Sequence, residues 1–320
     1  MRILITGGTG SLGKALTKYL VNLGNQVIIY SRDEAKQALS FSGMRNVQCV
    51  IGDVRDFDRL NVVVKRSSPD AIIHAAALKR IDDMEMQPEE CIKTNISGSE
   101  NVAKAALLND IKKCILVSTD KACQPVNVYG SSKFMAERIF TNYDYHSQQT
   151  IFSSVRYGNV IASRGSFIPL WLSLLKEGKK INVTSLDMTR FLFTLQDAVE
   201  TVVSSLEISQ GGEVFIPKLS SYNMNTILKA IAKIHGSDLN FNMTGLRPGE
   251  KLHEDMLAKT ELPYTYIATS NLLCVRPQYS KKEYIDMKKY EGKEFNSSLH
   301  VNDDLENLIS LIERGTLEAN

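Results

Sequence analysis

No stretch of this sequence carries five or more charges of one sign, and the formal net charge is only +2. That balance excludes the basic footprint of a nucleic-acid binder and the polybasic patch of a membrane-surface protein, and it fits a small polar substrate. Long apolar runs are missing too: none approaches the roughly 18 residues that a membrane-crossing helix needs. Cysteine is sparse, with five residues at 49, 91, 114, 123 and 274. No two are spaced as zinc ligands or as a redox pair, so no metal site is expected, and an odd, scattered set suits a reducing cytosol. Met1 and Arg2 run straight into the apolar Ile3–Ile5 with no room for a signal peptide, which predicts a cytoplasmic protein. Internal repeats and low-complexity tracts are absent.

What is present is an ordinary globular composition, 43% hydrophobic and 23% charged over 320 residues, enough for two lobes. Short β-branched runs alternate with segments of helical period through the first half, the pattern of βαβ units around a parallel sheet. Strands are expected at about 2–6, 26–30, 46–51, 70–74, 111–117 and 151–156. The first helix is expected beyond Gly13, with Ala15, Leu16, Tyr19, Leu20 and Leu23 on one face and Gly24 as its stop. The predicted fold is α/β, a Rossmann-like doubly wound parallel sheet with a smaller mixed α/β substrate lobe. The dinucleotide-binding domain is expected over about 1–160, with a segment near 190–215 returning to it. The lobe and tail occupy 161–320, with helices near 167–177, 196–208, 223–235, 250–258 and 302–313.

Ile3–Thr6 leads into Gly7-Gly8-Thr9-Gly10-Ser11-Leu12-Gly13, a strand followed by a glycine-rich turn and a helix. Gly7, Gly10 and Gly13 permit a tight turn and tight helix packing. They also let the backbone around Thr9, Ser11 and Leu12 approach a pyrophosphate at a helix N-terminus. At the end of the second strand, Ser31 and Arg32 stand where an acidic residue would favour NAD. A guanidinium there, with Lys36 nearby, pairs a 2′-phosphate, so NADP is expected; the alternative is that Asp33 or Glu34 reads the ribose hydroxyls. Asp53 and Val54 are placed to bracket the adenine, and Ala75, Ala76 and Ala77 to let the dinucleotide lie on the strand ends.

The fifth strand ends in Val117-Ser118-Thr119-Asp120-Lys121, and Tyr129-Gly130-Ser131-Ser132-Lys133 follows. Tyr129 and Lys133 are four apart, on one face of a helix. A free tyrosine has a pKa of about 10. A neighbouring ammonium and an oxidised nicotinamide both favour the phenolate, which makes Tyr129 a base for a substrate hydroxyl that Thr119 also bonds.

The segments ITGGTGSLG, YSRDEAKQ, GDVRD, HAAALKR, STDKACQPVNVYGSSK, RYGNVIASRGS, MTRF and RPGEKLHEDM together resemble the soluble UDP-N-acetylglucosamine 4,6-dehydratases. These are extended short-chain dehydrogenase/reductases that begin the routes to pseudaminic acid and related surface sugars. The resemblance covers about residues 1–260 and implies oxidation at carbon 4, loss of water across carbons 5 and 6, and reduction at carbon 6. By similarity Lys121 is the base at carbon 5 and Asp120 the acid at carbon 6; Lys121 must then be neutral, through burial and nearby positive charge. Tyr157 is expected beside the nicotinamide pocket, and Asn159 at the substrate phosphates. Arg190 and Arg247, the latter in the turn with Glu250, are expected at the diphosphate, and Lys79 at the cofactor ribose or sugar. His74 and His253 read as structural. The resemblance also implies a homo-oligomer, a dimer or larger.

One departure is visible: the inverting members carry His-Val-Pro after the lysine equivalent to Lys79, and this chain has Arg80-Ile81-Asp82. That loop borders the sugar pocket, so the configuration at carbon 5 and the preferred nucleotide sugar stay open. Two other functions compete. A 4-epimerase on the same fold needs Tyr129 and Lys133 but has no use for Asp120 and Lys121; a non-catalytic NADP-binding scaffold needs only the glycine loop.

Overall fold

The computed structural model describes every residue except 162, 164, 237–238, 280–283, 285–286 and 320. Two positions of the RYGNVIASRGS segment, Ala162 and Arg164, therefore lie outside the described residues. In chain order, β1 (Arg2–Thr6), α1 (Ser11–Asn22), β2 (Gln26–Ser31), α2 (Glu34–Phe41), β3 (Val47–Ile51), α3 (Phe57–Ser67) and β4 (Ala71–His74) alternate as expected. Next come α4 (Ile81–Met86), α5 (Pro88–Cys91), a π-helical turn at Ile92–Ser97 and α6 (Gly98–Leu108). β5 (Lys113–Val117), a 3-10 turn at Asp120–Ala122, α7 (Val128–His146) and β6 (Ile151–Val155) follow. The chain continues through β7 (Asn159–Val160), α8 (Phe167–Lys176), β8 (Ile181–Val183), β9 (Thr189–Phe193), α9 (Leu195–Ile208), β10 (Val214–Pro217), β11 (Ser221–Asn223) and α10 (Met224–His235). It ends with β12 (Phe241–Met243), β13 (Asp255–Leu257), a 3-10 stretch at Lys259–Tyr264, β14 (Thr265–Thr269), β15 (Leu272–Val275), β16 (Phe295–Asn296) and α11 (Leu305–Ala319).

The central sheet has the order β14-β15-β10-β6-β5-β4-β1-β2-β3. From β3 to β10 every pairing is parallel, and β15 and β14 close that end antiparallel. Winding reverses between β1 and β4, which opens a crevice at the C-terminal ends of those strands. In the central strands β1, β2, β4, β5 and β6 both faces are buried, so their residues alternate between two apolar layers rather than between core and water. Ile3 and Ile5 pack with Leu16 and Leu20 of α1 and with Val199, Val202 and Leu206 of α9. Leu4 packs on the other side with Leu60 and Val64 of α3, Val102 and Ala106 of α6, and Phe140 of α7. A separate core unites α8, α10 and α11 through Trp171, Ile227, Ile231, Leu308 and Ile312.

The expected helix at 250–258 does not form. Gly249 turns with φ +75, and the carbonyls a helix would use are taken elsewhere. Arg190 bonds the Lys251 and Leu252 carbonyls, Thr189 N bonds Leu252 O, and Ser297 N bonds Glu254 O. Tertiary partners thus draw the segment out as a strap that ends in β13. Smaller differences follow from local chemistry. α1 begins at Ser11, before Gly13, and Leu23 lies past its end, 60% exposed. The C-terminal helix also runs later than expected, over Leu305–Ala319.

The strand ends are held by a buried ion network. Arg156, 1% exposed, bonds Glu137 of α7 at 2.7 Å and Glu261 at 2.8 Å, and Ser118 Oγ donates to Glu137 at 2.5 Å. This pins β5, β6, α7 and the C-terminal stretch together immediately behind the crevice. Removing one partner strands a buried guanidinium. Glu137→Ala is expected to cost about 3 kcal/mol, the low end for a broken buried pair because Glu261 remains. Urea unfolding would register this as a lowered midpoint; an unchanged midpoint would mean the network contributes nothing to stability.

Candidate active site

The glycine loop at the end of β1 leaves no room for side chains. Gly7 has φ +70, and a Cβ there would stand 2.7 Å from the Ala76 backbone; one on Gly13 would stand 2.5 Å from Gly8 Cα. Gly10 is the N-cap of α1 and offers no side-chain cap, and the first turn carries no acidic residue. The positive end of its dipole therefore faces the loop formed by Thr9, Gly10, Ser11 and Leu12, an arrangement suited to an anion. Ala75, Ala76 and Ala77 follow β4 against this loop, with Lys79 exposed beyond them.

At the end of β2, the Ser31 hydroxyl accepts from Gln37 Nε2 at 2.9 Å. Arg32 is 57% exposed and only 3.8 Å from Asp53. Asp33 is committed as the N-cap of α2, accepting from Lys36 N at 2.9 Å, and its carboxylate also pairs with Lys36 Nζ. Asp53 is held by Arg55, Nε to Oδ2 at 2.9 Å. Val54 departs from expectation. It is 5% exposed and packs in the core against α6, because Gly98 has no side chain to fill that space.

Past β5, Thr119, Asp120 and Lys121 converge with Tyr129. Thr119 Oγ1 donates to Asp120 Oδ1 at 2.8 Å, and Lys121 Nζ lies 3.0 Å from the same oxygen. Asp120 N donates to Tyr157 O at 3.0 Å, which fastens the turn to the end of β6. α7 is capped by Asn127, whose Oδ1 accepts from Gly130 N at 2.7 Å; its Nδ2 bonds Gly249 O at 2.8 Å, tying the strap to the catalytic helix. Tyr157 packs on Phe193, the rings tilted by 52° with centroids 5.3 Å apart.

The electrostatics correct two expectations. Burial pushes the Tyr129 phenol up to about 12; Lys121 pulls against that, Asp120 adds to it and contact with Thr119 lowers it, so the ammonium that favours the phenolate in the free protein is Lys121. Lys133 itself is lowered to about 8 by burial, partly offset by Glu137. For Lys121, desolvation alone would favour the neutral amine, but the carboxyls of Asp120 and Glu254 outweigh it and hold the group above its ordinary value as an ammonium. Burial, reinforced by Glu254, raises Asp120 despite the neighbouring Lys121.

The substrate-side residues divide. Arg190 is buried, and its guanidinium is engaged by the Thr189, Leu252 and Lys251 carbonyls at 2.8, 3.2 and 3.0 Å. These bonds make it the post that holds the strap, with Glu250 and Glu254 each 3.7 Å away. Arg247 is 55% exposed and bridges Asp82 of α4 at 3.0 Å and Glu250 at 3.1 Å. Asn159 Oδ1 is buried and meets no donor among the described residues. As an acceptor it suits a substrate O–H or N–H better than a phosphate oxygen. His74 is fully buried between Thr6 and Ser99, and His253 meets Thr189 at 2.8 Å.

Two residues escaped the sequence reading. Glu254, 2% exposed, puts Oε1 3.3 Å from Lys121 Nζ. Its only trace in the sequence is an acidic residue inside an expected helix. Asn95, in the π-helical turn, accepts from Leu78 N at 2.8 Å and donates to Leu78 O and Ser132 Oγ, both at 2.9 Å. It clasps the loop after β4 to the turn of α7 that carries Tyr129.

A family of polysaccharide biosynthesis proteins matches residues 3–273. The chain belongs to this family. Its members' likeness extends to the UDP-N-acetylglucosamine 4,6-dehydratase (inverting) of Campylobacter jejuni subsp. jejuni serotype O:23/36 (strain 81-176). That protein is 46% identical over 272 residues, covering 82% of this chain and 79% of the relative. The UDP-glucose 4-epimerase of Rickettsia akari is 38% identical over 269 residues, covering 81% and 78%. The X-ray structure of Pen from Bacillus thuringiensis superposes with a TM-score of 0.92 at 33% identity, covering 99% of this chain and 98% of that one. The Rossmann-like α/β architecture expected from the sequence is thus borne out.

Asn95→Ala leaves the Leu78 amide and carbonyl without their partner, a loss of about 1–3 kcal/mol for two partly buried groups. Hydrogen exchange should locate it, with faster exchange at Leu78 and at the start of α7. Protection unchanged at both places would show that the clasp holds neither.

Proposed function

We propose that this nucleotide-sugar dehydratase acts on UDP-N-acetylglucosamine with NADP, yielding a UDP-2-acetamido-2,6-dideoxy-4-hexulose for the synthesis of a surface polysaccharide or glycan. The observation that carries the reading is the convergence of a buried Asp120 and a largely buried Lys121 with Tyr129. A 4-epimerase needs a base at one carbon only. An acid and a lysine grouped beside that base answer the demand for proton traffic at two further carbons.

The glycine loop fits a dinucleotide pyrophosphate, since each position where a Cβ would intrude is glycine. NADP is favoured over NAD because Arg32 is exposed and loosely held while Asp33 is spent on capping α2. A bound nicotinamide would accept hydride from carbon 4 and return it at carbon 6. Tyr129 takes the proton of the 4-hydroxyl, positioned by Thr119. The ketone at carbon 4 then acidifies the hydrogen on carbon 5, which Lys121 removes. Asp120, held protonated more readily by its burial, gives its proton to the departing 6-hydroxyl. Arg247 at the cleft mouth is the guanidinium placed to exchange its carboxylate partners for the diphosphate, and Asn159 offers an acceptor to the sugar.

Incubation with UDP-N-acetylglucosamine and NADP in deuterated water, followed by NMR, tests this. The expected product is a 4-keto-6-deoxy sugar carrying deuterium at carbon 5, whose ring couplings report the configuration there. Conversion to the galacto epimer would contradict the reading. Lys121→Met should abolish water loss while leaving NADP binding nearly intact.

A further inference from the structure

Lys121 is asked to act as an amine at carbon 5, yet its surroundings hold it as an ammonium, so a proton must first go somewhere. The groups paired with it are Asp120 at 3.0 Å and Glu254 at 3.3 Å. Asp120 also accepts from Thr119, and its task in the scheme above is to supply a proton rather than to receive one.

Glu254 has the features of a receiver. It is 2% exposed. Its backbone is fixed on both sides by Ser297, whose Oγ accepts from Glu254 N at 2.8 Å and whose N donates to Glu254 O at 2.8 Å. Its Oε1 faces Lys121 and lies 3.7 Å from Arg190 Nε, while Oε2, like Oδ2 of Asp120, is buried and meets no donor among the described residues; with Asp120 assigned to the departing hydroxyl, Glu254 is the carboxyl left to receive. Asp120 lies closer to Lys121, so Glu254 stands as a second carboxyl shared between Lys121 and Arg190. Burying an ionised carboxyl with an unbonded oxygen is unfavourable. Gaining a proton relieves such an oxygen of that penalty.

We propose that Glu254 takes the ammonium proton of Lys121, from Nζ to Oε1, and so frees the amine that removes the hydrogen of carbon 5. The inference rests on the proposed dehydration. The exchange balances. Ammonium and carboxylate become amine and carboxylic acid with no change in net charge. The amine takes the carbon-5 proton, the ammonium formed returns a proton to carbon 5 after water has left, and Glu254 hands its proton back to Nζ. Arg190, fixed by three backbone carbonyls, keeps the Glu254 carboxyl in place throughout. Glu254 acts through Lys121 and is a positioning and proton-holding residue.

Glu254→Gln separates these roles, because the amide oxygen still accepts from Lys121 Nζ and fills the same volume but takes no proton. In single turnovers of the NADP-loaded enzyme with UDP-N-acetylglucosamine, the reduced cofactor should appear at the wild-type rate, read by its ultraviolet absorbance. Formation of the 4-keto-6-deoxy product should fall about 100-fold or more, the scale of a lost general acid–base step. Glu254→Ala should recover product formation when formate is added and not when formamide is. Product formation at the wild-type rate in Glu254→Gln, loss of carbon-4 oxidation together with product, or absence of formate rescue would each overturn the inference. A wild-type protein that forms no 4-keto-6-deoxy sugar would instead overturn the dehydration itself.

Discussion

The site is organised around one largely buried ammonium held between two buried carboxyls. Lys121 sits between Asp120, which arrives with it on the turn after β5, and Glu254, which arrives on a strap from the far part of the chain. Desolvation penalises every member of such a cluster, so each is tolerable only while the others stay in place. That requirement explains the surrounding structure. The Arg156 network locks the strand ends behind the turn, Arg190 locks the strap, and Asn127 joins the strap to the helix that carries Tyr129.

The same cluster reconciles an apparent conflict in the chemistry. In the proposed reaction Tyr129 and Lys121 both have to be deprotonated to act as bases, and the protein on its own holds both protonated. Deprotonation of Tyr129 is left to the positive charge that a bound oxidised nicotinamide would bring, and that of Lys121 to a neighbour able to take its proton. A resting site with its bases protonated is chemically quiet until both ligands are present.

Much of this was legible in the sequence where the cause is local. The glycine loop, the alternating buried strands and the spacing of Tyr129 and Lys133 each depend on residues close together in the chain, and they stand where expected. Errors arose where distant segments decide. A helix over 250–258 was expected from its pattern, but Arg190, Thr189 and Ser297 claim its carbonyls. The role assigned to Lys121 asks for a neutral amine, and nothing in the sequence shows that Glu254 lies beside it and favours the ammonium in the free protein. Arg190 was expected to hold a diphosphate, and its donors are committed to the backbone of the strap. Val54 turned inward because Gly98 makes room for it.

The claim on which all of this depends is the charge state of Lys121 in the resting protein. Nitrogen-15 NMR of the lysine side chains, with Lys121 assigned through Lys121→Met, reads it directly. Lys121 should remain an ammonium at about pH 10, where an ordinary lysine with a pKa of about 10.4 is already losing its proton. Titration of Lys121 well below the other lysines would contradict the account.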